Sequence, residues 1–107
     1  MKKGEIWLSN LPQQLGKEVL GKRPVLIMAD TIKFAIVIPL TSNLNVLKYE
    51  NTIKIAPSKI NCLTRESIAS LFQIRSLDRK RIIHKIGNLE GFYMKEIDNT
   101  LKKLLKL

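Results

Sequence analysis

The sequence is poor in the residues that hold metals and close disulfides. Its 107 residues include one cysteine, Cys62, and one histidine, His84. A lone thiol forms no internal disulfide, which fits a reducing compartment. One His and one Cys are too few for a conventional zinc site, so neither metal nor cofactor is expected. Long apolar runs are missing as well. The longest, Phe34 to Leu40, is strand-sized and far below the roughly 18 residues of a membrane span. The N-terminal Met-Lys-Lys-Gly-Glu leads into an apolar stretch that stops at Leu8, too short for a secretory signal; the expected location is the cytoplasm. Gly-rich phosphate loops, His clusters and nucleophile elbows are absent. Acidic residues are scarce too, at 9 against 19 Lys and Arg.

That scarcity leaves a formal net charge of +10. On so small a body the field reaches several kT and attracts polyanions, nucleic acid first, with an acidic protein or an anionic membrane as rivals. The basic residues concentrate at Lys17, Lys22 and Arg23, at Arg75, Arg79, Lys80, Arg81 and Lys85, and at Lys102, Lys103 and Lys106. The last group reads as a solvated surface. The first two flank strand and turn patterns. Hydrophobic residues at 45% and charged ones at 26% indicate a folded chain rather than a disordered one. The length suits one domain spanning 1–107.

Local patterns predict short strands followed by one helix. Gly4 to Ser9 reads as a strand that ends at Pro12. Gln13 to Lys22, with Gly16 and Gly21, reads as a loop of about ten residues, longer than the usual 4–6. Pro24 to Met28 is a buried strand, Ala29 to Lys33 a turn, and Phe34 to Leu40 a second buried strand. Pro39 predicts an edge or a bulge near its end. Thr41 to Asn51 is polar and reads as another long loop. Further strand material lies at Thr52 to Ala56, Ser67 to Leu71, Gln73 to Leu77 and Ile82 to Ile86. Asp78 is placed to cap a basic turn over Arg79 to Arg81. Met94, Ile97, Leu101, Leu104 and Leu105 recur with a helical period, and lysines at the end suit the helix dipole. The expected class is α+β, a small, strongly bent antiparallel sheet or partly open β barrel with a C-terminal amphipathic helix.

Two constellations carry chemistry. In the first, Gly16-Lys17-Glu18-Val-Leu-Gly21-Lys22-Arg23-Pro24 sets an acid, two glycines and an arginine at the mouth of a buried strand. The residue before proline is driven toward extended geometry, and a guanidinium held there matches a phosphate in shape and charge. In the second, Thr41-Ser42-Asn43 sets two hydroxyls and an amide at the end of the neighbouring strand. If the two strands form a hairpin, Arg23 and Thr41 both lie at the end opposite its turn and become neighbours. A surface charge and a turn residue remain the plainer reading of this pair. His84 reads as structural or exposed, Cys62 as a buried or idle thiol, and Trp7 as core or as a stacking surface.

The sequence resembles the MazF/PemK family, the toxins of type II toxin–antitoxin systems. The likeness runs through Gly4-Glu-Ile-Trp-Leu, the Gly16-x-Glu18-x-x-Gly21-x-Arg23-Pro24-Val-Leu-Ile block, Ile38-Pro-Leu-Thr41-Ser42, Gln73-Ile-Arg75-Ser-Leu-Asp78-Arg-Lys-Arg81, and Met94-Lys-Glu-Ile-Asp98-Asn-x-Leu101. It implies an SH3-like barrel with a C-terminal helix, a homodimer, metal-independent endoribonuclease activity on single-stranded RNA, and neutralisation by a cognate acidic antitoxin. In such a reaction the RNA 2′-hydroxyl attacks the adjacent phosphorus and leaves a 2′,3′-cyclic phosphate and a 5′-hydroxyl. Arg23 is the expected charge stabiliser and Thr41 the hydrogen-bond donor to phosphate or ribose. Glu18 is the nearest acceptor for a proton, since arginine is a poor base. Lys17, Lys22, Ser42, Asn43, Gln73 and Arg75 are the expected RNA contacts. The chain departs from the family where several relatives carry an acid just before the glutamine: Phe72 stands there. It also has Lys17 where some relatives use a histidine. Two other classes stay open, a protein-binding poison like the gyrase inhibitor CcdB and a non-catalytic RNA-binding module.

Overall fold

The structure, a computed structural model, describes residues 1–11 and 21–107. Among the described residues, seven strands and one α-helix follow in order: β1 Glu5–Leu11, β2 Gly21–Asp30, β3 Phe34–Thr41, β4 Thr52–Ile55, β5 Ser67–Ser70, β6 Arg75–Asp78, β7 Ile82–Asn88 and α1 Gly91–Leu105. Three short 3-10 turns interrupt them, at Leu44–Lys48, Leu71–Gln73 and Arg79–Arg81. Every pairing among the described strands is antiparallel, in the order β4-β5-β3-β2-β1-β7, with β6 also on β3. The sheet is open, with β4 and β7 at its two ends.

The continuous apolar runs of β2 and β3 exist because both faces of these strands are covered, so a simple alternation of apolar and polar residues does not appear. On one face Ile6, Leu26, Ile38 and Leu40 pack with Ile53, Ile55, Leu71 and the helix residues Ile97 and Leu101. On the other, Val25, Ile27, Ala35 and Val37 join Leu11 and Leu77, with Met1, Trp7 and Ile82 packed against them. Trp7 therefore serves packing, and its indole also donates to Glu5 Oε1 at 3.0 Å.

Several expected boundaries move. β1 runs on to Leu11, and β2 is longer at both ends, so Lys22 lies in a strand and the hairpin turn shrinks to residues 31–33. Ladder pairing with β1 extends β2 back to Gly21, which the polar composition of that stretch does not reveal. Residues 44–48 of the expected long loop coil into a 3-10 turn that Asn43 caps, its side chain accepting the Asn45 N–H at 3.1 Å. Leu71, expected to end one strand, and Gln73, expected to begin the next, lie instead in the 3-10 turn between β5 and β6.

Pro39 is the informative correction. It sits in a central strand, not at an edge, opposite Val25 of β2. Along its other side, β3 pairs with β6 through Phe34 to Val37 and with β5 through Leu40 and Thr41. Ile38 and Pro39 fall in the gap between those partners. A residue without an N–H is tolerated there, since no ladder bond is lost. The bulge lies elsewhere, in the β2–β3 register between Ile27 and Ala29.

The helix stands as expected over its core. Ile97 and Leu101 are buried, and Met94 and Leu104 are partly so, whereas Leu105 is half exposed in the last turn. Lys106 takes the left-handed conformation at the C-terminus, and Leu107 N–H returns to the Lys102 carbonyl at 2.9 Å.

Candidate RNA-processing site

The hairpin register decides which side chains meet. Val25 faces Pro39 and Ile27 faces Val37, so continuing the ladder sets Arg23 across from Thr41. Side chains alternate along a strand, which puts both on the same face as the second apolar cluster. They line one cleft together with Gln73, Pro39, Tyr49 and Phe72. Gln73 arrives there because the 3-10 turn Leu71–Gln73 leaves the ladder where β3 changes partner.

The backbone under Arg23 is held on both sides. Proline follows it, and Ser9, fully buried opposite it in β1, donates its hydroxyl to the Arg23 carbonyl at 3.0 Å. Arg23 has a further interaction within the protein. Thr41 Oγ1 accepts the Asn43 N–H at 3.1 Å. A hydroxyl that accepts in this way still has its own proton to donate. The cleft thus joins a permanent cation, a hydroxyl donor and an amide with both donor and acceptor character.

The other expected contacts divide by strand parity. Arg75 pairs with Val37 in the ladder and so shares the face of Arg23, four residues along β3 from Thr41. Lys22, opposite Asn10, points to the reverse face. Ser42 lines a different groove, with Pro24, Arg65 and Cys62. Asn43 is occupied as a cap. Lys17 and Glu18 lie outside the described residues.

Other sequence candidates take structural positions. Arg79 ties β6 to the hairpin tip, 3.5 Å from Asp30 and 3.4 Å from the Thr31 carbonyl. Arg81 reaches the Asn10 carbonyl at 3.4 Å. Asp78 caps the intervening turn, accepting the Lys80 N–H at 2.9 Å as expected. His84 is exposed on β7, its Nδ1 3.2 Å from the Lys85 carbonyl. Cys62 is exposed rather than buried, in a left-handed turn position that orients its thiol toward the Lys59 carbonyl. The sequence pattern does not mark Tyr49. Lying in a polar loop, it gives no periodic signal, and only the fold carries it to the cleft.

Residues 2–105 match the family of PemK-like, MazF-like toxins of type II toxin–antitoxin systems. An endoribonuclease MazF of Staphylococcus saprophyticus is 33% identical, covering 94% of this chain and 88% of its own length. Among solved structures, MazF of Deinococcus radiodurans superposes with a TM-score of 0.78 at 22% identity, covering 100% of this chain and 97% of the other. An endoribonuclease in complex with its cognate antitoxin from a mycobacterial species gives 0.71 at 18% identity, covering 98% and 92%.

Proposed function

Because the chain belongs to the PemK-like, MazF-like toxins of type II toxin–antitoxin systems, we propose that its Arg23–Thr41 cleft cleaves single-stranded RNA without a metal. The activity is that of an endoribonuclease. The observation that carries the site is the register across β2 and β3, which sets a guanidinium and a hydroxyl on one face of one cleft.

RNA supplies its own nucleophile. When the 2′-hydroxyl attacks the adjacent phosphorus, its proton leaves, negative charge builds on the phosphorane oxygens, and the 5′-oxygen departs and gains a proton. Arg23 answers the second of these needs: a fixed cation at the developing charge lowers the barrier more than it stabilises the ground state. Thr41 donates its hydroxyl to the phosphate or the ribose. Gln73 and Arg75 hold the flanking nucleotides, whereas Lys22, on the reverse face, Ser42, in a separate groove, and Asn43, used as a cap, lie off this path. Glu18, with Lys17 beside it, is the proposed proton acceptor.

The whole chain acts as one domain, the open sheet being the body of an SH3-like barrel. Two copies form the working unit in the cytoplasm. A cognate antitoxin with an acidic tail is the natural inhibitor, since the +10 charge favours an acidic segment over a neutral one.

The test is incubation of a long single-stranded RNA with the protein in EDTA. Parent protein is expected to cut and leave 2′,3′-cyclic phosphate ends, and Arg23→Ala to lose about 10²–10³ in kcat. Equal cutting by the variant, or a requirement for added metal, overturns the assignment. Binding without cutting indicates an RNA-binding module, and neither binding nor cutting indicates a protein target of the CcdB kind.

A further inference from the structure

Two aromatic rings meet at the rim of the cleft and both stay largely open to solvent. Tyr49 closes the 3-10 turn Leu44–Lys48, and Phe72 lies in the turn Leu71–Gln73. Their centroids are 5.4 Å apart with the planes inclined at 53°. Both line the cleft that holds Arg23 and Thr41. Tyr49 is 49% and Phe72 38% exposed, and neither is among the buried residues of the two clusters. Burial does not account for them. Lys48 adds a cation, its Nζ 5.2 Å from the Tyr49 ring centre.

Resting on the reading that this cleft receives an RNA phosphate, we propose that the Tyr49–Phe72 pair is a stacking platform for one unpaired base beside that phosphate. Two rings already in contact leave no room for a base between them, since a sandwich needs about 7 Å, two van der Waals separations. The base therefore stacks on an outer ring face. Every base has a π-face, so this contact tolerates all four. Discrimination falls to Gln73, which follows Phe72 into the same cleft and offers a donor and an acceptor to a base edge. Lys48 neutralises the neighbouring phosphate.

The experiment uses the full chain and a single-stranded 2′-fluoro RNA, which lacks the attacking hydroxyl, with 2-aminopurine at intervals. Binding is expected to quench the 2-aminopurine fluorescence. Phe72→Leu and Tyr49→Leu are expected to reduce the quench and weaken the Kd about tenfold, with Phe72→Trp restoring both. On cleavable RNA, Phe72→Leu is expected to raise KM with kcat unchanged, the sign of lost uniform binding. An unquenched parent overturns the platform. So does a folded Phe72→Leu, by circular dichroism, that quenches and binds as the parent does, as when the rings instead receive a protein chain. Cleavage lost in Arg23→Ala but untouched in Phe72→Leu removes the platform and keeps the nuclease. Quenching by a parent that never cleaves removes the nuclease and keeps the platform.

Discussion

Glu5 accepts three donors at once. Its Oε1 takes the Lys2 N–H at 2.9 Å and the Trp7 indole at 3.0 Å, and Oε2 pairs with Lys85 at 3.1 Å. The Lys2 backbone bond leads, then Trp7; with Lys85 they hold the carboxyl at about 2, down from 4.5, although partial burial pulls the other way. A folded-state value below the unfolded one stabilises the protein at pH values above 4.5, and that contribution is lost as pH falls from 4.5 toward 2. The melting temperature is expected to drop through this window, and Glu5→Gln to flatten the drop; an unchanged profile in the variant refutes the attribution. Asn61 illustrates the same economy without charge. It is fully buried, yet its amide donates to the Ala56 carbonyl and Glu90, and its oxygen accepts from Ser58 and Leu63 N–H. All its polar capacity is used, as burial requires.

Among the elements, β7 shows why a glycine closes a strand. A Cβ at Gly87 would stand 2.5 Å from the Asn61 carbonyl oxygen and 2.7 Å from that of Ile60. These are backbone atoms, held in place by the Asn61 bonds and by Asn88 N–H donating to the Ile60 carbonyl at 3.1 Å. The segment cannot retreat cheaply. Gly87→Ala is expected to cost about 1–3 kcal/mol in urea unfolding, as other overpacked sites do. A variant as stable as the parent shows that the 60–61 segment yields. The sequence marks this glycine only as the end of a strand pattern; the close approach belongs to the tertiary fold. The turn Leu71–Gln73 is the element-scale counterpart at the cleft. Its residues look like strand material by composition, yet the partner change along β3 turns them outward and delivers Phe72 and Gln73.

At the scale of the molecule, the charge governs association. If three or four phosphates are neutralised, log K for single-stranded RNA is expected to fall against log salt with a slope of about −2 to −3. Titration of uncleavable RNA between low and physiological salt measures it, and a flat dependence removes the electrostatic basis of the proposal. Not every cation contributes. Arg79 pairs with Asp30, Lys3 with Asp98, Lys54 with Glu66 and Lys85 with Glu5. The count of basic residues therefore overstates the charge offered to a ligand.

Composition and local pattern by themselves determined the class: short apolar runs bounded by turn residues make strands, and the 3.6-residue period of Met94, Ile97 and Leu101 makes one helix. The hairpin logic of two adjacent strands was also legible, and with it the approach of Arg23 to Thr41, because register within a hairpin is local information. The sheet order was not, since β5 and β6 share one side of β3 only through contacts distant in sequence. That non-local pairing decided the gap at Pro39, the exit of Phe72 and Gln73 from the ladder, and the meeting of Phe72 with Tyr49. Such contacts leave no periodic trace in the chain, because they depend on which surfaces the folded strands bring together.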